Sequence, residues 1–302
     1  MPFAAGPWEL AIVLAKVMSY GGLASLTGGF LIFWLGSAST ATRRHLLYFM
    51  LLASAVGSLA VALFFLLQVG VVNQNGIAGM FDSFMAGLVL QSPIGYGSGL
   101  KLAGFLVAAA ALWLARPRLL ALEGAVQFPI ALRVGAPLAI VLFAASFAVL
   151  GHVASLGALA RVAIAMHIGA MGLWIGALYP LYALCRRESA ATLTPLLHTF
   201  GQIGWVLTGS LLVAGSYLLT QLLAAPYDLI STPYGVLLVG KLLLVICLLG
   251  LAALNKFRLV PALANAGTGA LQRSIRGELF LAVLILLLTA SLTTFTGPAH
   301  LS

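Results

Sequence analysis

Charged residues are scarce throughout this sequence. Only 7% of the 302 residues are Asp, Glu, Lys or Arg, whereas 62% are hydrophobic. Soluble domains carry roughly a quarter charged residues, so the deficit excludes a soluble enzyme and a soluble binding module. The apolar residues form continuous runs of about 20 without polar alternation, which favours membrane-spanning helices over a β-barrel. We therefore expect an all-α, polytopic membrane helical bundle.

Cysteine and acidic residues are nearly absent. Cys185 and Cys247 are the only cysteines and form no CxxC motif, which excludes a disulfide framework and a cysteine-based zinc site. Asp and Glu total six, and most lie outside the apolar runs, so we do not expect a proton relay built on carboxylates. P-loop, Rossmann and nucleophile–base patterns are missing as well, and we expect no enzyme activity.

Eight apolar segments occur along the chain, and we expect each to cross the membrane as a helix. They lie near 9–36, 46–70, 93–115, 131–150, 157–182, 199–222, 233–255 and 276–296. The connections that follow the odd-numbered segments contain 11 of the 15 Lys and Arg residues, and the positive-inside rule makes those connections cytoplasmic. Both termini are then periplasmic. The net charge of +9 is thus an orientation signal, and we expect no nucleic-acid partner.

The two halves of the chain contain matching stretches. SPIGYGSGLK at 92–101 and TPYGVLLVGK at 232–241 align without a gap. Each begins with Ser or Thr before Pro, a preferred helix start, and places a lysine about 12 Å into the helix. Further matches are GSLAVA at 57–62 with GSLLVA at 209–214, and AALWLAR at 110–116 with AALNKFR at 252–258. We infer two tandem four-helix repeats, 1–150 and 151–302, in parallel orientation.

Four basic residues fall inside the outer halves of the predicted spans: Lys16, Lys101, Arg161 and Lys241. The repeat pairs Lys101 with Lys241, and AKV at 15–17 with ARV at 160–162 pairs the other two. A lysine near the interface can extend its ammonium group to water. Alternatively, the side chain faces the bundle interior and binds an anion, a carboxylate or a helix end. Both alternatives remain open on the sequence alone.

Soft metal ligands occur on the predicted outer side. The histidines are His152, His167 and His300; the methionines are Met80, Met85, Met166 and Met171. His167 and Met171 are four residues apart on one helix face, and YGG at 20–22 aligns Tyr20 with His167. Imidazole and thioether groups without carboxylates favour Cu(I). Methionines also serve as ordinary packing residues. Cys247 is either such a packing residue or a relay ligand for a soft metal.

Several stretches of the second half resemble the copper resistance protein D (CopD) family. They are GHVASLGALARVAIAMHIGAMGLWIGALYPL at 151–181, TFGQIGWVLTGSLLVAGSY at 199–217, STPYGVLLVGKLLLV at 231–245, AALNKFRLVPAL at 252–263 and RSIRGELFLAVLILLLTASLT at 273–293. The resemblance implies a multi-pass protein of the bacterial inner membrane that brings copper from the periplasm towards the cytoplasm. It also implies a separate periplasmic partner of the CopC type. By this resemblance, the functional residues of the family correspond to His152 and His167. Lys241 occupies a motif position to which no role is assigned.

Two functional hypotheses follow. In the first, copper is captured by the outer histidines and methionines of a protein that is surrounded by membrane lipid. The four outer cations would then repel a bare copper ion. In the second, the protein is a membrane redox protein that binds haem b or a quinone. His152 and His167 would ligate the haem, and the lysines and arginines would hold its propionates.

Overall fold

The computed structural model describes residues 6–36, 38–121, 128–150, 156–223 and 225–296. Over these ranges the chain is helical without a strand, and eight helices are long and apolar enough to cross a membrane. The prediction of an all-α bundle with eight spans is confirmed. The spanning helices are α1 (Pro7–Leu35), α2 (Thr40–Asn73), α5 (Pro93–Leu120), α6 (Ile130–Ala148), α7 (Ala158–Arg187), α8 (Ala190–Leu222), α10 (Pro233–Leu254) and α12 (Gly269–Phe295). Short helices α3 (Gly76–Gly79), α4 (Ser83–Leu90), α9 (Asp228–Ser231) and α11 (Leu263–Ala266) lie in the connections.

Hydroxyl caps start four of the long helices. Ser92 accepts a hydrogen bond from the Ile94 amide and Thr232 accepts one from the Gly235 amide, and Pro93 and Pro233 follow at the first helical position. These are the starts that the duplicated motif predicted. Ser39 and Ser189 cap α2 and α8 in the same way. A side-chain oxygen at this position replaces the missing partner of a free helix-end amide.

Several helices extend beyond the predicted spans at the ends that adjoin the Arg-rich connections. We call this end of the bundle the basic side, and the opposite end the outer side. α2 begins at Thr40, before the expected 46, and α12 at Gly269, before the expected 276. Hydrophobicity marks only the lipid-embedded part of a helix, whereas polar and basic residues continue the same backbone into the headgroup region. His45 lies inside α2 and forms a hydrogen bond with the Tyr179 hydroxyl at 2.9 Å.

Helices α1 and α7 cross at two glycines. A Cβ atom added to Gly176 would lie 1.6 Å from the Ala24 carbonyl oxygen, and one added to Gly28 would lie 2.0 Å from the Ala177 nitrogen. Small residues allow such backbone contact between helices in lipid. α12 packs on α1, and α6 packs on α7. The pair α1–α7 therefore occupies the centre of the bundle, between the two predicted repeats.

A carboxylate links α2 to α7 on the basic side. Glu188, which ends α7, accepts hydrogen bonds from the Ser39 amide at 3.0 Å and the Ser39 hydroxyl at 2.6 Å. Burial would raise the pKa of Glu188, but these bonds, one from Thr42 and the charge of Arg43 outweigh it and lower the pKa below its usual value. The start of α2 is thereby joined to the end of α7.

Candidate functional site

Lys101 is enclosed within the first half. Its side chain is 7% exposed, and its ammonium group lies 4.4 Å from the centre of the Phe147 ring and 5.5 Å from that of Tyr20. Among the described residues it forms no hydrogen bond, so the two aromatic faces are its electrostatic partners. Lys101 therefore faces the bundle interior, while the anion, carboxylate or helix end of our second alternative is not among these partners in the described residues.

Tight helix packing closes this first half. The Phe105 ring fills the space beside Gly57, where an added Cβ would lie 2.3 Å from the ring, and the Ser54 hydroxyl donates to the Phe105 carbonyl at 2.7 Å. α2 and α5 are therefore packed along each other.

Lys241 has a different neighbour in the second half. It is half-buried in α10 and acts electrostatically on His167 of α7. The sequence alignment pairs His167 with Tyr20, so in each half the lysine of the third long helix acts electrostatically on a ring of the first. This is the pairing that the predicted duplication requires, and the duplication itself stays a prediction.

His167 lies in the membrane-embedded part of α7, about 14 Å from the outer end of that helix. Its ring packs on α8, where it interacts with the Leu211 carbonyl and lies beside Gly215. An added Cβ at Gly215 would lie 3.5 Å from His167 Nδ1. This nitrogen is buried and has no hydrogen-bond partner among the described residues. A buried nitrogen without a partner is costly, which makes Nδ1 a candidate position for a hydrogen-bond donor or a metal ligand.

The helices of the second half are packed less closely than the corresponding helices of the first half. α8 packs on α7 and α10 packs on α12, but α8 and α10 are not packed closely on each other. Gly209, the predicted counterpart of Gly57, has no atom within 4 Å of an added Cβ. Deeper in the membrane, Trp174, Leu207, Leu248 and Ile285 close the space with one apolar cluster. His167, which packs on α8, and Lys241 of α10 therefore lie on helices that are not packed closely on each other.

The other predicted metal ligands are dispersed. Met171 packs in the apolar cluster that contains Tyr20, Met80 packs with Ile12 and Leu67, and Met166 is 44% exposed. Met85 is half-buried in the first turn of α4. His152 and His300 lie outside the described residues. Over the described ranges, no three His, Cys, Asp or Glu residues are grouped for metal binding. The structure thus brings His167 to Lys241, and not to the methionines.

The remaining candidate residues do not join His167 and Lys241 either. Lys16 donates to the Thr293 carbonyl at 2.9 Å and to the Thr294 hydroxyl at 2.9 Å, so oxygen atoms of α12 stabilise its ammonium group. Arg161 is exposed at the outer end of α7. Cys247 is exposed on the lipid-facing surface, a position that does not suit a relay through the interior.

Sequence reasoning missed a polar pair on the basic side. Glu278 in α12 is 3% exposed and hydrogen-bonds Asn255, with which a π-helical turn (Asn255–Leu259) begins at the end of α10. We had placed most carboxylates outside the spans, although Glu278 lies within our predicted segment 276–296. Its position inside that segment was the signal available.

Residues 194–292 match the family model described as copper resistance protein D. The match supports membership of the copper resistance protein D family. This region includes most of α8, all of α10 and most of α12, and therefore Gly215, Lys241 and Glu278; His167 precedes it. No curated protein and no solved structure matches the chain. Its eight apolar helices and its match to copper resistance protein D identify a multi-pass membrane protein.

Proposed function

We propose that the protein takes copper from the periplasmic side of the bacterial inner membrane and passes it towards the cytoplasm. The observation that carries this proposal is the buried His167 Nδ1, which has no partner among the described residues and lies beside the space left by Gly215. A neutral imidazole in an apolar environment is a good ligand for Cu(I). His167 would be the ligand at which copper enters the membrane.

A single imidazole is an incomplete copper site, since Cu(I) in proteins is held by two or more soft ligands. We infer that His152, which precedes α7, is the second ligand, and that His300 assists. A periplasmic copper-binding protein of the CopC type would deliver the ion to these residues. The lack of close packing between α8 and α10 would give such a partner access to His167 from the outer side.

Lys241 determines which form of copper suits the site. A cation beside His167 opposes the binding of a bare Cu(I) ion, because two positive charges would share a poorly solvated space. We expect Lys241→Met to tighten Cu(I) binding about tenfold by removing this repulsion. Lys101→Met is the matched control, because Lys101 is enclosed by Tyr20 and Phe147 and should not change the affinity.

The same variant pair tests the alternative ligand class. A haem propionate, an anionic quinone or an anionic copper complex would be attracted by Lys241, so Lys241→Met would weaken its binding. Affinity would be measured by competition with a colorimetric Cu(I) chelator for each purified variant. Weaker Cu(I) binding in Lys241→Met would contradict capture of the bare ion.

The haem b alternative has one structural observation in its favour, the electrostatic interaction of Lys241 with the membrane-embedded His167. Absorption spectra and metal analysis of the protein purified from membranes, before and after copper loading, distinguish the two functions. We expect bound copper and no Soret band. A Soret band that is lost in His167→Ala would replace the copper proposal by a haem protein.

A further inference from the structure

Glu278 is buried among apolar side chains on the basic side of the bundle. It lies nine residues from the start of α12, or about 14 Å along the helix. Ile275 and Ala282, on the same face, belong to an apolar cluster that also contains Ile32 of α1 and Leu178 of α7. The carboxyl group is therefore placed where α12 meets the two central helices.

No described cation neutralises this carboxylate. Lys256, the nearest in sequence to Asn255, donates to the Gly201 carbonyl and lies over the Trp205 ring. On the helices packed against α12, the other basic residues of this side are exposed: Arg186, Arg187 and Arg258, with Arg273 and Arg276 on α12 itself. The inner half of α1 has no charged residue. An ionised carboxylate without a counter-charge in such a place costs several kcal/mol.

The hydrogen bonds around Glu278 are incomplete for a carboxylate. Asn255 is 9% exposed and bonds to Glu278, yet its Oδ1 atom has no partner among the described residues. The buried hydroxyl of Ser274, one turn before Glu278, also has no hydrogen-bond partner among the described residues. A carboxylate only accepts hydrogen bonds, whereas a carboxylic acid also donates one. The protonated acid can donate to an amide oxygen and accept from the same amide nitrogen, so protonation supplies the donor that Asn255 lacks.

The polar pair belongs to the second half alone. AALWLAR and AALNKFR align Trp113 with Asn255. The first half therefore has no amide at the position of Asn255, and the pair is not repeated there.

We propose that Glu278 and Asn255 form a proton-binding site in the basic half of the membrane. The ligand is a proton and not a metal ion, because over the described ranges Glu278 belongs to no group of three His, Cys, Asp or Glu side chains that could hold a metal. The site is 14 residues, or about 21 Å, from Lys241 along α10, so it is separate from the outer site and independent of the copper proposal. The site would exchange its proton with water on the basic side, which the positive-inside rule makes cytoplasmic.

Infrared spectroscopy of the protein in lipid tests this proposal. The chain has four glutamates, and the triple variant Glu9→Gln, Glu123→Gln, Glu188→Gln leaves Glu278 as the only one. We expect this variant to show the C=O stretching band of a protonated carboxyl at neutral pH, with a shift in D2O. The band should be lost in Glu278→Gln, and in Asn255→Leu it should move to higher frequency because a hydrogen bond is removed.

The triple variant keeps the test decisive even if Glu278→Gln does not fold, because its three substitutions avoid the buried pair. Absence of the protonated band in the folded triple variant at neutral pH would overturn the proposal. A band that persists in Glu278→Gln would also overturn it, since another group would then carry the proton. A carboxylate band that responds to Na⁺ would identify a cation site in its place.

Discussion

Replacing Gly176 by alanine is expected to destabilise the protein by about 3 kcal/mol or more. The added Cβ would lie 1.6 Å from the Ala24 carbonyl oxygen, and this backbone atom cannot move without separating α1 from α7. The contact lies between the two halves, so the strain would affect the whole bundle. Unfolding in detergent micelles can be followed by the fluorescence of Trp174, which is 7% exposed and two residues away.

Gly169→Ala is the matched control for this prediction. Gly169 is in the same helix, but an added Cβ there meets no atom within 4 Å. Alanine has a higher helix propensity than glycine by roughly 0.5–1 kcal/mol, so Gly169→Ala should leave stability unchanged or raise it slightly. Equal unfolding midpoints for the two variants would show that α1 and α7 are not in backbone contact.

Replacing His167 by alanine is expected to weaken Cu(I) binding at least about 100-fold, because even the loss of an outer-shell partner of a metal ligand costs 10–100-fold. His167 has the buried unpartnered nitrogen on which the proposed site depends. Competition with a Cu(I) chelator measures the change. His198→Ala is the control, since His198 is exposed on α8 near the basic side. This variant should bind Cu(I) with the same affinity as the unchanged protein.

His167→Tyr separates a structural role of this residue from copper binding. It recreates in the second half the lysine–tyrosine pair that Lys101 and Tyr20 form in the first. We expect this variant to keep the stability of the parent protein while losing copper to the same extent as His167→Ala. Unchanged copper affinity in both variants would exclude His167 as a ligand and, with it, the proposed entry site.

The number of spans, the all-helical architecture and the starts of α5 and α10 were predictable from the sequence. Hydrophobicity over about 20 residues, and a capping hydroxyl followed by proline, act between neighbours in the chain and do not depend on distant contacts. The resemblance of the second half to copper resistance protein D was also visible at this level, and the match over 194–292 supports it. The duplication and the orientation of the termini stay predictions.

Tertiary packing decided which of the candidate side chains meet. His167 and Met171 occupy one face of α7 by spacing, yet α8 contacts the first and the cluster around Tyr20 contacts the second. Helical periodicity predicts a face but not the helix that covers it, which explains why Met171 was grouped with His167 and Cys247 was considered as a relay. Glu278 and Asn255 are likewise joined only by the contact of α12 with the end of α10. The sequence by itself determined the spans and the depth of each polar group; helix packing decided its partner, because a partner lies on another helix.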